Sequence, residues 1–338
     1  MRRPAAIAER RRIGQKPWPS VGAVVLIAVL TIALPVFGLI LAGVVTGRLG
    51  GLGAAATEAL NRFVVNLALP AVLFHAMAHI DPHDLVHPGL LAAFGLAVAV
   101  PFALTVAWVR LRGVSLGDSA IHAMCATFSN VGYMGIPLCR IAFGDASLVP
   151  GVITMVITAC PQFAVAVMML EAGRPGGTGG RAGWWAIGRR VGLALVRNPL
   201  LISPVIGLGV AMAGLPLPTA LDRFLLLLGG AATPCALVAT GLMLVQTAGR
   251  FRFRLVTGLV LVKLLVKPAI AWGIAFHLVD MPPAWAETAV IMAALPTGAG
   301  AFILARLYDR EAAVTSGTIL VSTIGSFVTL SVLLSWLT

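Results

Sequence analysis

S-N-V-G-Y-M-G-I-P, Ser129 to Pro137, and A-L-P-T-G-A-G, Ala294 to Gly300, are the stretches that decide how this 338-residue chain folds. Each interrupts a run otherwise apolar enough to span a bilayer. Glycine and proline at that depth break the helical ladder and free backbone N–H and C=O groups. Lipid cannot satisfy those groups, but a buried cavity or a polar ligand can. One break in each half of a chain is the pattern of a site built at mid-membrane from discontinuous helices.

The composition around the breaks is 59% hydrophobic and 11% charged, too apolar to be hidden in one soluble core. The chain reads as an all-α polytopic membrane protein. Ten spans of about 20 residues or more fall near 21–45, 59–78, 89–109, 119–139, 149–170, 195–213, 224–246, 255–277, 285–305 and 314–337. The first run is too long for a signal h-region and lacks a small-residue cleavage site, so it is expected to remain as a span.

The net charge of +12 marks one side of a membrane rather than a nucleic-acid partner. Fourteen arginines, among them Arg110, Arg112, Arg252 and Arg310, lie in or near the loops after the odd-numbered spans, whereas Arg140 and Arg223 lie opposite. The positive-inside rule then places both termini outside a plasma or bacterial inner membrane. The basic tail, residues 1–20, runs against this assignment with Arg2, Arg3, Arg10, Arg11, Arg12 and Lys16. It is read as a disordered extension, and the internal loops carry the orientation.

The order of features repeats. Pro35–Leu39 (P-V-F-G-L) answers Pro204–Leu208 (P-V-I-G-L), and Leu60–Phe63 (L-N-R-F) answers Leu221–Phe224 (L-D-R-F). Pro101 answers Pro268 and Pro137 answers Pro296, all at offsets of 159 to 169 residues. The implied units are 21–171 and 195–338, joined by a cytoplasmic linker over 172–194. Five crossings per unit is an odd number, so the second unit enters from the opposite side: a 5+5 inverted repeat with broken spans 4 and 9 crossing each other.

These residues also carry a family resemblance. Leu60–His75 (L-N-R-F-V-V-N-L-A-L-P-A-V-L-F-H), Asn130–Leu138, the R-N-P at Arg197–Pro199 and Ala294–Ala305 (A-L-P-T-G-A-G-A-F-I-L-A) occur in order over about residues 31–338 and together resemble the auxin efflux carrier family. The resemblance implies ten helices, a scaffold domain, a transport domain where the broken helices cross, and organic-anion substrates such as malonate, malate or an auxin-like acid. A short linker in place of the long plant loop resembles the bacterial members. Lys263 stands at a basic position of the family pattern, while Lys267 replaces a small residue.

The candidate substrate contacts are the broken segments: Asn130, Gly132, Tyr133, Gly135 and Pro137 from span 4, and Pro296, Thr297, Gly298 and Gly300 from span 9. Their half-helix N-termini would cradle a carboxylate. Lys263 and Lys267 share one face of span 8. Lys263 either snorkels to the interface or attracts the anion. Lys267 lies too deep to snorkel and is expected to line a wet cavity. Asn66, His75 and Gln162 are second polar candidates, and His75, with His79 beyond it, also suggests proton coupling.

Several classes are disfavoured. No carboxylate falls at mid-span, as a sodium/proton antiporter would need. No H-E-x-x-H, G-x-S-x-G or P-loop supports an enzyme or direct ATP drive. Cys125, Cys139, Cys160 and Cys235 stand singly and read as packing residues. Asp81, His83, Asp84 and His87 read as a solvated turn, so no metal and no cofactor are expected. The partners expected are the bilayer and a small organic anion, with coupling to cations or protons and pairing of two copies left open.

Overall fold

A computed structural model describes residues 34–79, 87–173, 199–246 and 252–337. The basic tail, the linker beyond Gly173, and Asp81, His83 and Asp84 lie outside the described residues. Those described are helical, with no strand among them beyond one isolated bridge. The helices are α1 Leu34–Arg48, α2 Ala54–Phe63, α3 Leu69–Ala78, α4 Pro88–Arg110, α5 Leu116–Thr127, α6 Ile136–Phe143, α7 Leu148–Ile157 and α8 Phe163–Ala172. After the linker come α9 Pro199–Met212, α10 Thr219–Gly230, α11 Ala232–Gln246, α12 Phe253–Leu261, α13 Lys267–His277, α14 Pro283–Ala294, α15 Ala299–Leu307 and α16 Ala312–Leu337.

Prolines explain much of the subdivision. Wide π turns at Val64–Ala68, Val131–Gly135 and Val262–Val266 lead directly into Pro70, Pro137 and Pro268, and the turn Thr158–Gln162 contains Pro161. A proline lacks the N–H for the ladder and its ring crowds the preceding turn, and one inserted residue relieves both. Pro101, by contrast, is absorbed within α4 without a break.

Six helical stretches among the described residues are long and apolar enough to cross a membrane. This is fewer than the ten spans read from the sequence: spans 1 and 6 are described only in part, as the shorter apolar helices Leu34–Arg48 and Ile202–Met212, and the chain itself divides or joins others. The breaks cut spans 4 and 9 into pieces too short to count. α6 runs through a 3-10 turn at Gly144–Ser147 into α7, so Val131–Ala172 forms one 42-residue stretch. Gly144, at φ 70°, supplies the backbone reversal there.

Large apolar side chains stand exposed on most of these helices, for example Leu41, Leu104, Leu227, Phe276 and Val328. A surface of this kind is at ease in lipid and not in water. α5 and α14, the first halves of the two broken spans, carry no such side chain and lie in the interior.

Two tight helix pairs flank the interior. α1 lies on α11, where a Cβ added to Gly43 would sit 2.2 Å from the Val238 carbonyl oxygen. α9 lies on α3, where one added to Gly207 would sit 2.4 Å from the Phe74 carbonyl oxygen. Small residues give such close backbone approach inside a membrane, where lipid competes for apolar contact.

The charged groups sort into two ends. At one, Arg310 pairs with Asp118, Arg252 with Glu311, and Tyr308 donates to Glu171. At the other, Arg140 pairs with Asp145, and His75 lies against Asp222.

Candidate functional site at the crossing of the two breaks

The two breaks meet. Ser129 and Thr297 form an antiparallel bridge: the Asn130 N–H donates to the Pro296 carbonyl and the Gly298 N–H to the Phe128 carbonyl, both at 3.0 Å. Backbone freed by one break is thus satisfied by the other, which is what a low-dielectric interior demands. Further bonds fix the crossing. Thr297 Oγ1 donates to the Cys125 carbonyl at 2.7 Å, and its N–H donates to Ser322 Oγ at 3.0 Å.

Close packing locks the two halves together. A Cβ on Gly298 would lie 2.9 Å from the Ser129 carbonyl oxygen, one on Gly300 2.5 Å from the Phe128 ring, and one on Gly135 2.5 Å from Leu295 and Met292. Gly132 is different, with its nearest neighbour 3.8 Å from such a Cβ. Pro137 and Pro296 are buried beside these glycines.

Lys263 and Lys267 reach the same place, both fully buried. Lys267 Nζ donates to the Thr127 carbonyl at 2.7 Å and to Ser129 Oγ at 2.6 Å. Lys263 Nζ donates to the same Ser129 oxygen at 2.9 Å and to the Ala293 carbonyl at 3.1 Å. The Phe94 ring faces Lys267 with its centroid 4.9 Å from Nζ, a cation–π contact. No described carboxylate pairs with either lysine; carbonyl oxygens, a hydroxyl and, for Lys267, a ring face are their described partners. Neither lysine snorkels.

A cavity of about 270 Å³ opens against the crossing. Asn130, Tyr133 and Thr297 line it there, Thr240 lines it from α11, and Phe302 and Arg306 from α15. α15 and the turn at Val131 both begin at the crossing, so two positive helix ends meet beside this space. The Tyr133 hydroxyl donates to the Asn61 side-chain oxygen, tying the turn to α2.

The second polar candidates part company. Gln162 Nε2 donates to Thr127 Oγ1 at 2.8 Å, joining the residue whose carbonyl holds Lys267, while its Oε1 is buried without a partner. Asn66 is exposed and spends its amide on the Arg62 carbonyl of its own helix. His75 lies at the far end, against Asp222. Ser129 and Thr240 are functional candidates that only the fold reveals, and Arg306 is a third that the sequence reading passed over. Arg306 was legible in principle: Ala299, Phe302 and Arg306 share one helix face, spaced by three and four.

A family model described as membrane transport protein matches residues 28–334. A Rhizobium meliloti (strain 1021) protein named "Putative malonate transporter" is 30% identical over 309 residues, covering 90% of this chain and 94% of the relative. A Methanothermobacter thermautotrophicus "Uncharacterized transporter" is 28% identical over 306 residues, 88% of this chain and 94% of its own. A rice (Oryza sativa subsp. japonica) protein named "Probable auxin efflux carrier component 5a" is 26% identical over 308 residues, covering 78% and 84%. The family match spans nearly the whole described chain, crossing included, and the chain belongs to this family of membrane transport proteins, the auxin efflux carrier family.

Proposed function

We propose that the protein is a secondary transporter, moving a small organic anion of the carboxylate class by alternating access at the crossing of the broken helices. The observation that carries this reading is the cavity against the Ser129–Thr297 bridge, lined by Asn130, Thr297 and Arg306 with two buried lysines behind it. Its electrostatics suit an anion. Helix N-termini and an arginine converge on it, two buried lysines lie behind the bridge as proton-accepting amines, and no carboxylate lines the cavity. The printed names of two relatives, one for malonate and one for auxin, support an organic acid.

Ten spans in a 5+5 inverted repeat, units 21–171 and 195–338, fit the packing. Span 1 pairs with span 7 and span 6 with span 2, and each pairing is the other with the repeats exchanged. In this arrangement the α1–α11 and α3–α9 pairs are scaffold and the crossing helices carry substrate. The cavity runs from the crossing to Arg306, toward the arginine-rich end, so the conformation is open to the cytoplasm if that end is cytoplasmic.

Counterflow into liposomes holding purified protein tests the proposal. Malonate, malate and indole-3-acetate are supplied in turn, with glucose as the neutral control. Saturable exchange of at least one acid supports a carrier. Flux that does not saturate, or exchange of glucose alone, contradicts it.

A further inference from the structure

At the end of the molecule away from Arg306, α3 and α10 bring together three groups that lie outside the crossing: His75, His79 and Asp222. His75 and His79 are one helical turn apart and share a face. Asp222 comes from the other half of the chain. Its Oδ1 lies 3.0 Å from His75 Nε2 and 3.5 Å from His79 Nε2, and the three ligand atoms all lie within 4.8 Å of one another.

The tautomer of His79 makes this cluster unusual. Its Nδ1 lies 2.9 Å from the His75 carbonyl oxygen, which can only accept. Nδ1 must therefore carry the hydrogen, and in the neutral imidazole Nε2 presents a bare lone pair to a carboxylate oxygen. Two lone pairs at 3.5 Å repel unless a cation sits between them. Asp222 Oδ1 is also shut off from water and takes no well-aligned hydrogen bond. Nor does the adjacent Arg140 relieve it, since that guanidinium is committed to Asp145 at 2.9 Å.

We infer that His75, His79 and Asp222 form a site for a divalent transition metal of the zinc class, bridging α3 to α10. At a zinc–ligand distance of about 2.1 Å, two ligands on a tetrahedral ion stand about 3.4 Å apart. The two carboxylate–imidazole separations bracket that value. The backbone bond to His79 Nδ1 is the outer-shell contact that orients a ligating imidazole. Two imidazoles and one carboxylate favour zinc, cobalt, nickel or copper over magnesium or calcium.

Three protein ligands leave a fourth position for water, and His75 and His79 both line a cavity of about 280 Å³ together with Arg140, Leu148 and Leu225. Sequence alone offered the two histidines. Asp222 is an end-of-span acid until the fold places it. The bridge joins scaffold helices, so it stabilises the protein without taking part in substrate binding at the crossing, whatever substrate is carried there.

The test uses the purified full-length protein in detergent, freed of any polyhistidine tag and stripped with EDTA. Zinc chloride should raise the melting temperature of the wild type and magnesium chloride should not. Cobalt should give the intense visible bands of a four-coordinate ion at one equivalent per chain. His79→Gln and Asp222→Asn should each weaken zinc by more than about tenfold, the lower bound for loss of an outer-shell partner. His79 is half exposed, so His79→Gln should fold, and its melting temperature without metal verifies this. His87→Gln should bind zinc as the wild type does. An equal zinc response in His79→Gln, or no response in the wild type, overturns the inference. So does a melting temperature that rises on acidification with zinc having no effect, which would assign the bridge to a proton.

Discussion

Replacing Gly298 with alanine tests whether the backbone bridge is the foundation of the site. Gly298 sits at φ −85° and ψ 159°, a conformation any residue adopts, so alanine costs nothing in backbone strain. The cost is steric. The new Cβ would lie 2.9 Å from the Ser129 carbonyl oxygen, 3.1 Å from Asn130 Cα and 3.2 Å from Asn130 N, all backbone atoms that cannot swing aside. Relief requires the two breaks to separate by about 0.5 Å, which stretches the two 3.0 Å bridge hydrogen bonds to about 3.5 Å, beyond useful geometry. Two weakened bonds at about 1 kcal/mol each, plus about 1–3 kcal/mol for overpacking, give a destabilisation of about 3–5 kcal/mol.

Gly132→Ala is the matched control, since its Cβ would meet nothing closer than 3.8 Å. Thermal unfolding of both variants in detergent, followed by counterflow, reads the difference. Gly298→Ala should unfold on the order of 5–10 °C lower and transport poorly, while Gly132→Ala should unfold with the wild type. A Gly298→Ala variant with wild-type stability and transport would refute the reasoning.

Other consequences follow from the same geometry. Lys267→Gln removes a charge beside the crossing and leaves the Thr127 carbonyl with a weaker donor; it should weaken anions more than neutral analogues in a binding titration. Arg306→Gln, at the cavity wall, should fold normally and bind carboxylates roughly tenfold or more weakly, the worth of one charge-assisted hydrogen bond. Glu311 is held at about 2, first by the His122 imidazole 3.6 Å away and then by Arg252, against burial that raises it. Its folded-state value is depressed, so its stabilisation is full above the ordinary 4.5 and lost as pH falls toward 2. Glu311→Gln should therefore unfold earlier than the wild type at pH 7, with the gap closing below pH 4.5, as followed by thermal melts across that range.

The two breaks were legible because glycine and proline clustered at membrane depth forfeit backbone hydrogen bonds that lipid cannot replace, and the structure joins the breaks by hydrogen bonds between backbone atoms. Lys263 and Lys267 were legible as neighbours at i and i+4. What they bind was not: Ser129 Oγ is 134 residues away from Lys263, and nothing local marks a serine as the shared partner of two lysines. Asn66 misled in the opposite way. An amide within an apolar run suggests a buried contact, but on this helix it turns outward and satisfies itself on Arg62. The pairing of His75 and His79 with Asp222 depends on which helices of the two halves touch, information held by packing rather than by periodicity.

Equilibrium binding to purified protein tests the crossing as an anion site most directly. Malonate and related carboxylates are titrated into the wild type, Asn130→Ala and Arg306→Gln, with each melting temperature checked first. Saturable binding of a carboxylate to the wild type, weakened in both variants while their unfolding is unchanged, is the expected result. Carboxylate binding that is equally tight in all three proteins would place the anion elsewhere and contradict the assignment.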